Sequence, residues 1–341
     1  MALKFKELGK GNYGVQVLGL QHIGKHQVSI KIRGGDIAGS PVAFEVLDMP
    51  IFRRNYKNIQ GPVVQFGSQG YELGQIQKAK GLCSTRKGEI VVLDQGNIAP
   101  AQEREGIRFG FGVPIAQQQS WRIQIFEEGG KFRSSFAVGK VDPYGRQQAQ
   151  ATGVAFDYRN NRIIVCFGNQ VVAYSLEGKD LLTIAQQHHY QFMHVFVNSK
   201  GSIFVSTNQN YIYEYDSEGN LQDTFTNFVY GQKFWVLDNG NFVSAYNSGF
   251  VVLNSQGQQV AQYSEGNYGF TPLWCDSDGN VLGLGYLAKN GQYNGQPGIA
   301  VISKEGKFVS SFLANTKVSF LCMTPAGRVV AMPTNGQIKV C

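Results

Sequence analysis

The stretch AGRVVAMPTNGQIKVC (residues 326–341) reads as two short β-runs, GRVVAM and GQIKVC, joined by a polar turn. The same opening, a Gly or Asn turn leading into a β-rich run, occurs five more times. It is found in RKGEIVVLD (turn at Gly88), RNNRIIVCF (Asn161), SKGSIFVST (Gly201), DNGNFVSAY (Gly240) and SDGNVLGLG (Gly279). The steps from Asn161 to Gly201, Gly240 and Gly279 are 40, 39 and 39 residues. A second turn follows about half a repeat later, at Gly130, Gly178, Gly219, Gly257 and Gly306. The flanking runs alternate apolar and polar residues, as half-buried strands do, and nothing of comparable length has helical spacing.

Two hairpin turns per ~40 residues give four strands per repeat, the blade of a β-propeller. Six first turns against five second turns leave the last unit, which ends at Cys341, one outer strand short. GPVVQFGSQG (residues 61–70) reads as a lone strand ahead of the first complete unit. The expected architecture is therefore all-β: a six-bladed propeller over 61–341, closed by strand 62–66 pairing with 336–341. Closure of that kind removes sheet edges that would otherwise invite aggregation.

Composition sets wider bounds. With 43% hydrophobic residues in 341, there is ample material for a core. No apolar run reaches the ~18–20 residues of a membrane helix, and MALKFKELGK lacks the apolar core of a signal peptide. Cys83, Cys166, Cys275, Cys322 and Cys341 are far apart and odd in number. That argues against a disulfide framework or a Cys-rich zinc site and for a reducing, cytoplasmic location. The net charge of +7 sits mostly in residues 1–60, with nine Lys and Arg against four acids; the remainder has 22 against 20. Overall basicity therefore carries no nucleic-acid argument, and only the placement of charge can.

Residues 1–50 have another character. YGVQVLGL, KHQVSIKIRG and SPVAFEVLD read as three strands, fewer than the seven of a complete immunoglobulin-like sandwich. GKHQVSI (Gly24–Ile30) and IAGSP (Ile37–Pro41) resemble the C-terminal half of a filamin-type immunoglobulin-like repeat. RNYKNIQGPVVQFGSQGYELGQIQKAKGLCSTRKGEIVVLDQGN, with WRIQIF at Trp121–Phe126, resembles the start of an NHL-repeat propeller. A filamin repeat followed by NHL blades resembles the tail of one TRIM-NHL subgroup. There are departures: Lys78-Ala79-Lys80 replaces the family's Pro-Trp before the first blade, and its D-x-x-N-x-R loop is degraded in most blades. RING finger, B-box and coiled coil are not in this sequence, so the ubiquitin-ligase half known in the family is absent from it. The resemblance implies RNA binding by the propeller and mRNA repression, or protein docking.

Propeller topology lets the charges be sorted by face. Loops joining one blade to the next share a face with those between second and third strands. That face carries ten cations: Lys78, Lys80, Arg104, Arg108, Arg122, Lys140, Arg146, Lys233, Lys289 and Lys317. Six acids oppose them: Glu72, Asp94, Glu103, Glu105, Asp142 and Glu265. The hairpin face has ten cations against thirteen acids. Tyr144, Tyr190, Tyr230, Tyr268 and Phe270 add planes for stacking, and Gln147, Gln148, Asn210 and Asn247 add amides for base edges. Cations, aromatic planes and amides are what a single strand or hairpin loop of RNA requires. The candidate RNA contacts are Lys78, Lys80, Arg122, Arg146, Tyr190, Tyr230, Lys233, Tyr268 and Lys317. The bland reading of any one of them is a surface lysine or a tyrosine packed between blades.

Two other readings bear on function. The 94–120 loop of blade 1 is either an insertion without a role or an arm bearing Arg104, Arg108, Phe109 and Phe111. Catalysis has little to stand on: His188 and His189 are adjacent and point apart, His194 reads as a satisfied histidine, and no G-x-S-x-G or H-E-x-x-H occurs. No metal, cofactor, membrane or small-molecule substrate is expected. The function expected is a non-catalytic RNA-binding module of a post-transcriptional repressor. The alternative is a protein-interaction scaffold, such as the substrate-docking part of a TRIM-type ubiquitin ligase.

Overall fold

A computed structural model of the chain describes residues 54–59, 61–97, 119–139, 150–186, 190–226, 233–246, 248–264, 269–287 and 293–341, with the backbone alone of six strands between residues 2 and 46. Contacts divide the chain into two units, Met1–Pro50 and Ile51–Cys341. In the first, β1 (Ala2–Gly9) pairs with β2 (Asn12–Leu18), β3 (Gly24–Val28) with β6 (Val42–Val46), and β4 (Lys31–Ile32) with β5 (Gly35–Asp36). Strand β1 was not expected from the sequence. LKFKEL alternates apolar and charged residues, and the strand pairs antiparallel with β2.

The second unit is a ring of six four-stranded antiparallel sheets. It begins with the closing strand β7 (Val64–Phe66). Blade 1 contains β8 (Gly81–Ser84), β9 (Ile90–Asn97), β10 (Gln119–Phe126) and β11 (Phe132–Ala137). Blade 2 contains β12 (Ala151–Asp157), β13 (Arg162–Phe167), β14 (Gln170–Tyr174) and β15 (Asp180–Gln186). Blade 3 contains β16 (Phe192–Val197), β17 (Ile203–Thr207), β18 (Tyr211–Tyr215) and β19 (Leu221–Thr226). Blade 4 contains β20 (Phe234–Val236), β21 (Phe242–Tyr246), β22 (Gly249–Leu253) and β23 (Gln259–Ser264). Blade 5 contains β24 (Thr271–Cys275), β25 (Val281–Leu287), β26 (Tyr293–Ile302) and β27 (Phe308–Phe312). Blade 6 contains β28 (Val318–Met323), β29 (Val329–Pro333) and β30 (Ile338–Val340), and its fourth strand is β7.

The turns are where the glycines place them. The first hairpin of each blade puts one residue in the left-handed region: Gly88 at φ 80° in blade 1, Asn161 at φ 52° in blade 2. Asn is the residue that tolerates this region best after Gly. Ring closure has a definite register, with Val64 opposite Val340 and Phe66 opposite Ile338. Packing repeats it. The Phe66 ring lies where a Cβ on Gly130 would come within 2.7 Å, and Phe136 meets Gly178 of the next blade in the same way, at 2.5 Å. β7 thus occupies the outer-strand place that β11 occupies one blade on. The segment before it is fastened too. Tyr56 donates from its hydroxyl to Asp276 Oδ2 at 2.8 Å, and Arg54 donates to the carbonyls of Gly327 and Cys341.

The core lies between blades, because each sheet has a neighbour on both faces. One cluster joins Ile164, Val171 and Ala173 of blade 2 to Phe192, Val195 and Val205 of blade 3. Another joins blade 6 to blade 1 through Val330, Ile338, Ile90 and Phe126. All five cysteines are free and buried. The blade 1 loop is shorter than the sequence reading had it. The blade 1 ladder continues from Asp94↔Arg122 to Asn97↔Gln119, leaving only 98–118 outside the described residues. In blade 5, Leu287 pairs with Tyr293, so β25 and β26 take up most of 285–298.

Candidate ligand-binding face

Antiparallel order places the residues that precede each first strand on the blade-connecting face. Lys78 and Lys80 precede β8, Tyr190 precedes β16, Lys233 precedes β20 and Lys317 precedes β28. The structure therefore gathers these five on one face. Arg146, Tyr230 and Tyr268 lie outside the described residues, as do Tyr144 and most of the 94–120 loop.

Lys78 and Lys317 are exposed, and among the described residues it is their backbones that are engaged. The Lys78 N–H donates to Asp94 Oδ1 at 2.7 Å, and the Lys317 carbonyl accepts from Thr334 N–H at 3.4 Å. Lys80 is half-buried, its N–H donating to the Leu93 carbonyl at 2.8 Å. Tyr190 meets Tyr211 edge-on at 6.1 Å, and Tyr211 begins a ladder through Tyr213 to Tyr215 along β18. Residues two apart share one face of a strand, so these rings stand in a row that runs inward from Tyr190.

Arg122 corrects the sequence reading. It is fully buried and is no contact residue. Its Nη1 donates to the carbonyls of Tyr71 at 2.8 Å and Asn97 at 2.6 Å. Its Nη2 donates to the carbonyls of Glu72 and Gln75 and, at 3.1 Å, to Asp94 Oδ2; Nε alone has no acceptor. Gly96 leaves room for the guanidinium: a Cβ there would lie 2.2 Å from Cζ. Burial pushes the Asp94 carboxyl up and the Arg122 guanidinium down, while each favours the other's charge. The pair holds the 71–75 loop against the blade. It also removes one cation and one acid from the face. Phe270 is corrected too: it is buried between blades 4 and 5 against Phe250 and Tyr263.

Lys233 is different from the other lysines. Its Nζ lies 5.2 Å from the centre of the Phe320 ring. Lys233 belongs to blade 4 and Phe320 to blade 6. Blades 4 and 6 are not neighbours in the ring, so this contact crosses the central channel. Burial lowers the lysine's pKa. His194 of β16 belongs with them and was missed as a site residue. It stands edge-on to Phe234 at 5.5 Å and Trp235 at 6.3 Å, and its buried Nδ1 has no hydrogen-bond partner. Burial, then the Lys233 charge, pushes its pKa down to about 3.

Register explains why three residues so distant in sequence meet. His194 pairs with Ser206, Lys233 follows as the partner of Ala245, and Phe320 pairs with Met332. Each partner is three residues past the start of its second strand. The three side chains therefore stand at one level of the channel, at the end that opens on the connecting face. The repeat spacing contained this signal, once the strands were aligned on their hairpins.

Comparison with known proteins fits this geometry. No family model matches the chain. Protein lin-41 of Caenorhabditis elegans is 26% identical over 113 residues, a stretch that is 33% of this chain and 8% of that protein. Among solved structures, a chain in the mitotic checkpoint complex superimposes with a TM-score of 0.52 at 12% identity, covering 86% of this chain and 94% of its own; it shares the fold alone. A Bacteroides caccae protein of unknown function matches with a TM-score of 0.43 at 15% identity, covering 69% of this chain and 81% of its own. No helix among the described residues is long and apolar enough to cross a membrane. The six-bladed ring rests on the strand order itself, and the lin-41 match covers a third of this chain and a small part of that protein.

Proposed function

We propose that the chain is the non-catalytic RNA-binding module of a cytoplasmic post-transcriptional repressor, and that the blade-connecting face holds a short single strand or hairpin loop. The observation that carries this reading is the placement of exposed Lys78 and Lys317 on the face that also bears Tyr190 beside Tyr211. Lysines draw phosphate by charge, and a half-buried tyrosine held by a second ring is a preordered plane for an unpaired base. The distant likeness to lin-41 supports the same reading. Repression itself would be the work of other factors brought to the bound transcript.

The test is binding of the purified chain to a randomised RNA pool across a salt series, repeated for the double variant Lys78→Glu, Lys317→Glu. Both residues are exposed, so the fold is expected to survive. The expected result is an enriched motif, bound in a salt-dependent manner and weakened at least tenfold in the variant. Affinity no better than the ~10⁻⁴–10⁻⁶ M of nonspecific contact, unchanged by the variant, would overturn the reading in favour of a protein-docking face.

A further inference from the structure

Among the described residues, the channel mouth holds a positive charge without a counter-charge and a buried ring nitrogen without a partner. Lys233 Nζ has no carboxylate partner among the described residues; its ammonium lies over the face of the neutral Phe320 ring. Lys233 is half-buried, and an aromatic face compensates an ammonium only in part for the water it gives up. The ring alone leaves Lys233 under-compensated. The adjacent inner strand adds His194, whose Nδ1 is buried and unpartnered. A water could satisfy Nδ1, but it could not balance the lysine. β16 and β20 touch, and both side chains stand at the same level of the channel.

We propose that the channel mouth is a binding site for one phosphate group, held by Lys233 Nζ and His194 Nδ1, with Phe320 as the wall opposite. A dianion suits this pair better than a monoanion. Lys233 supplies one charge, and a bound anion offsets the lysine charge that, after burial, holds the His194 ring neutral, so the ring's proton affinity rises. Among the described residues, Lys233 is the titratable group that acts on His194, and burial is what lowers the proton affinity of Lys233. The site is separate from the exposed lysines that carry the RNA reading. Its phosphate is either free or the terminal group of an RNA chain.

The experiment uses the full chain at pH 7 with inorganic phosphate as the probe, followed by ³¹P NMR and by melting temperature. Acetate and chloride at matched ionic strength are the controls. Expected are a dissociation constant on the order of millimolar, a rise in melting temperature with phosphate only, and loss of both in Lys233→Met. A second readout is the C2–H resonance of His194, identified with His194→Gln. Phosphate is expected to raise its midpoint by a unit or more, a tenfold change in proton affinity, without moving the other four histidines. Equal effects of acetate or chloride, an unmoved His194, or phosphate binding that persists in Lys233→Met would each overturn the site. Matched oligonucleotides with 5′-phosphate or 5′-hydroxyl ends identify the source. Tenfold tighter binding of the phosphorylated one assigns an RNA end, and equal binding of the two assigns free phosphate. Lys78→Glu with Lys317→Glu leaves phosphate binding intact even where it abolishes RNA binding, so the two proposals fail separately.

Discussion

Arg122 and Lys233 are both cations on the blade-connecting side of the ring, and their surroundings are opposite. Arg122 lies within blade 1, where four carbonyls and Asp94 take up its Nη hydrogens. Lys233 reaches across the channel to an aromatic ring and finds no acceptor among the described residues. A cation whose own blade supplies the acceptors holds the fold together. One left without them is available to a ligand. The position of a charge on a face does not separate the two cases; the acceptors do.

Removing each cation gives the largest contrast. Arg122→Met should cost about 3–5 kcal/mol, the usual penalty for leaving a buried charge and its acceptors unpaired. Urea denaturation measures it. Lys233→Met, which replaces an under-compensated ammonium by an apolar chain of similar length, should leave stability unchanged or slightly higher. Equal losses in the two variants would break the comparison.

The second contrast is in pH. His194 has a folded-state pKa near 3 against an ordinary 6.5. The unfolded chain therefore takes up the proton first, and stability falls as pH drops through 6.5, until the folded form also protonates near 3. Between pH 7 and 5 this residue should cost about 2 kcal/mol, at ~1.4 kcal/mol per unit. His194→Gln should flatten that part of the stability curve. A variant curve parallel to that of the unmodified chain would show that His194 is not held neutral.

How much of this was legible beforehand depended on what the backbone demands. The hairpins were legible because a left-handed position takes Gly or Asn, and the spacing of such residues counts the blades. Closure followed from an odd number of half-repeats. Arg122 was not legible as a buried group: in blade 1 the third strand is covered on both faces, so Arg122 and Gln124 on β10 are buried where an alternating strand would expose them. The channel cluster was harder. His194, Lys233 and Phe320 come from three blades, and bulges at Phe192/His194 and Val318/Phe320 shift the count from strand start to channel level. Only pairing to the second strands places them together.

Tyr190 brings the proposed RNA face itself to the test. Its ring rests edge-on against Tyr211 at the outer end of the tyrosine row. Tyr190→Ala should lose ~1–3 kcal/mol of RNA affinity, the value of one stacked base, while Tyr190→Phe keeps most of it. Filter binding at fixed salt measures both. Loss in the Phe variant as large as in the Ala variant would assign the hydroxyl, and not the ring, as the contact.

The smallest effect tests the meaning of an exposed lysine. Lys317→Glu changes a side chain with no charged partner among the described residues, so stability should move by no more than about 0.5 kcal/mol. If Lys317 lies against one phosphate of a single strand, its loss should reduce the slope of log affinity against log salt by about 0.7. Lys80→Glu makes the useful comparison, because Lys80 is half-buried and its N–H is committed to the Leu93 carbonyl. A slope that changes for Lys317 and not for Lys80 would mean that the RNA follows the exposed rim. The reverse would draw the RNA path inward, toward the channel mouth where Lys233 faces the Phe320 ring.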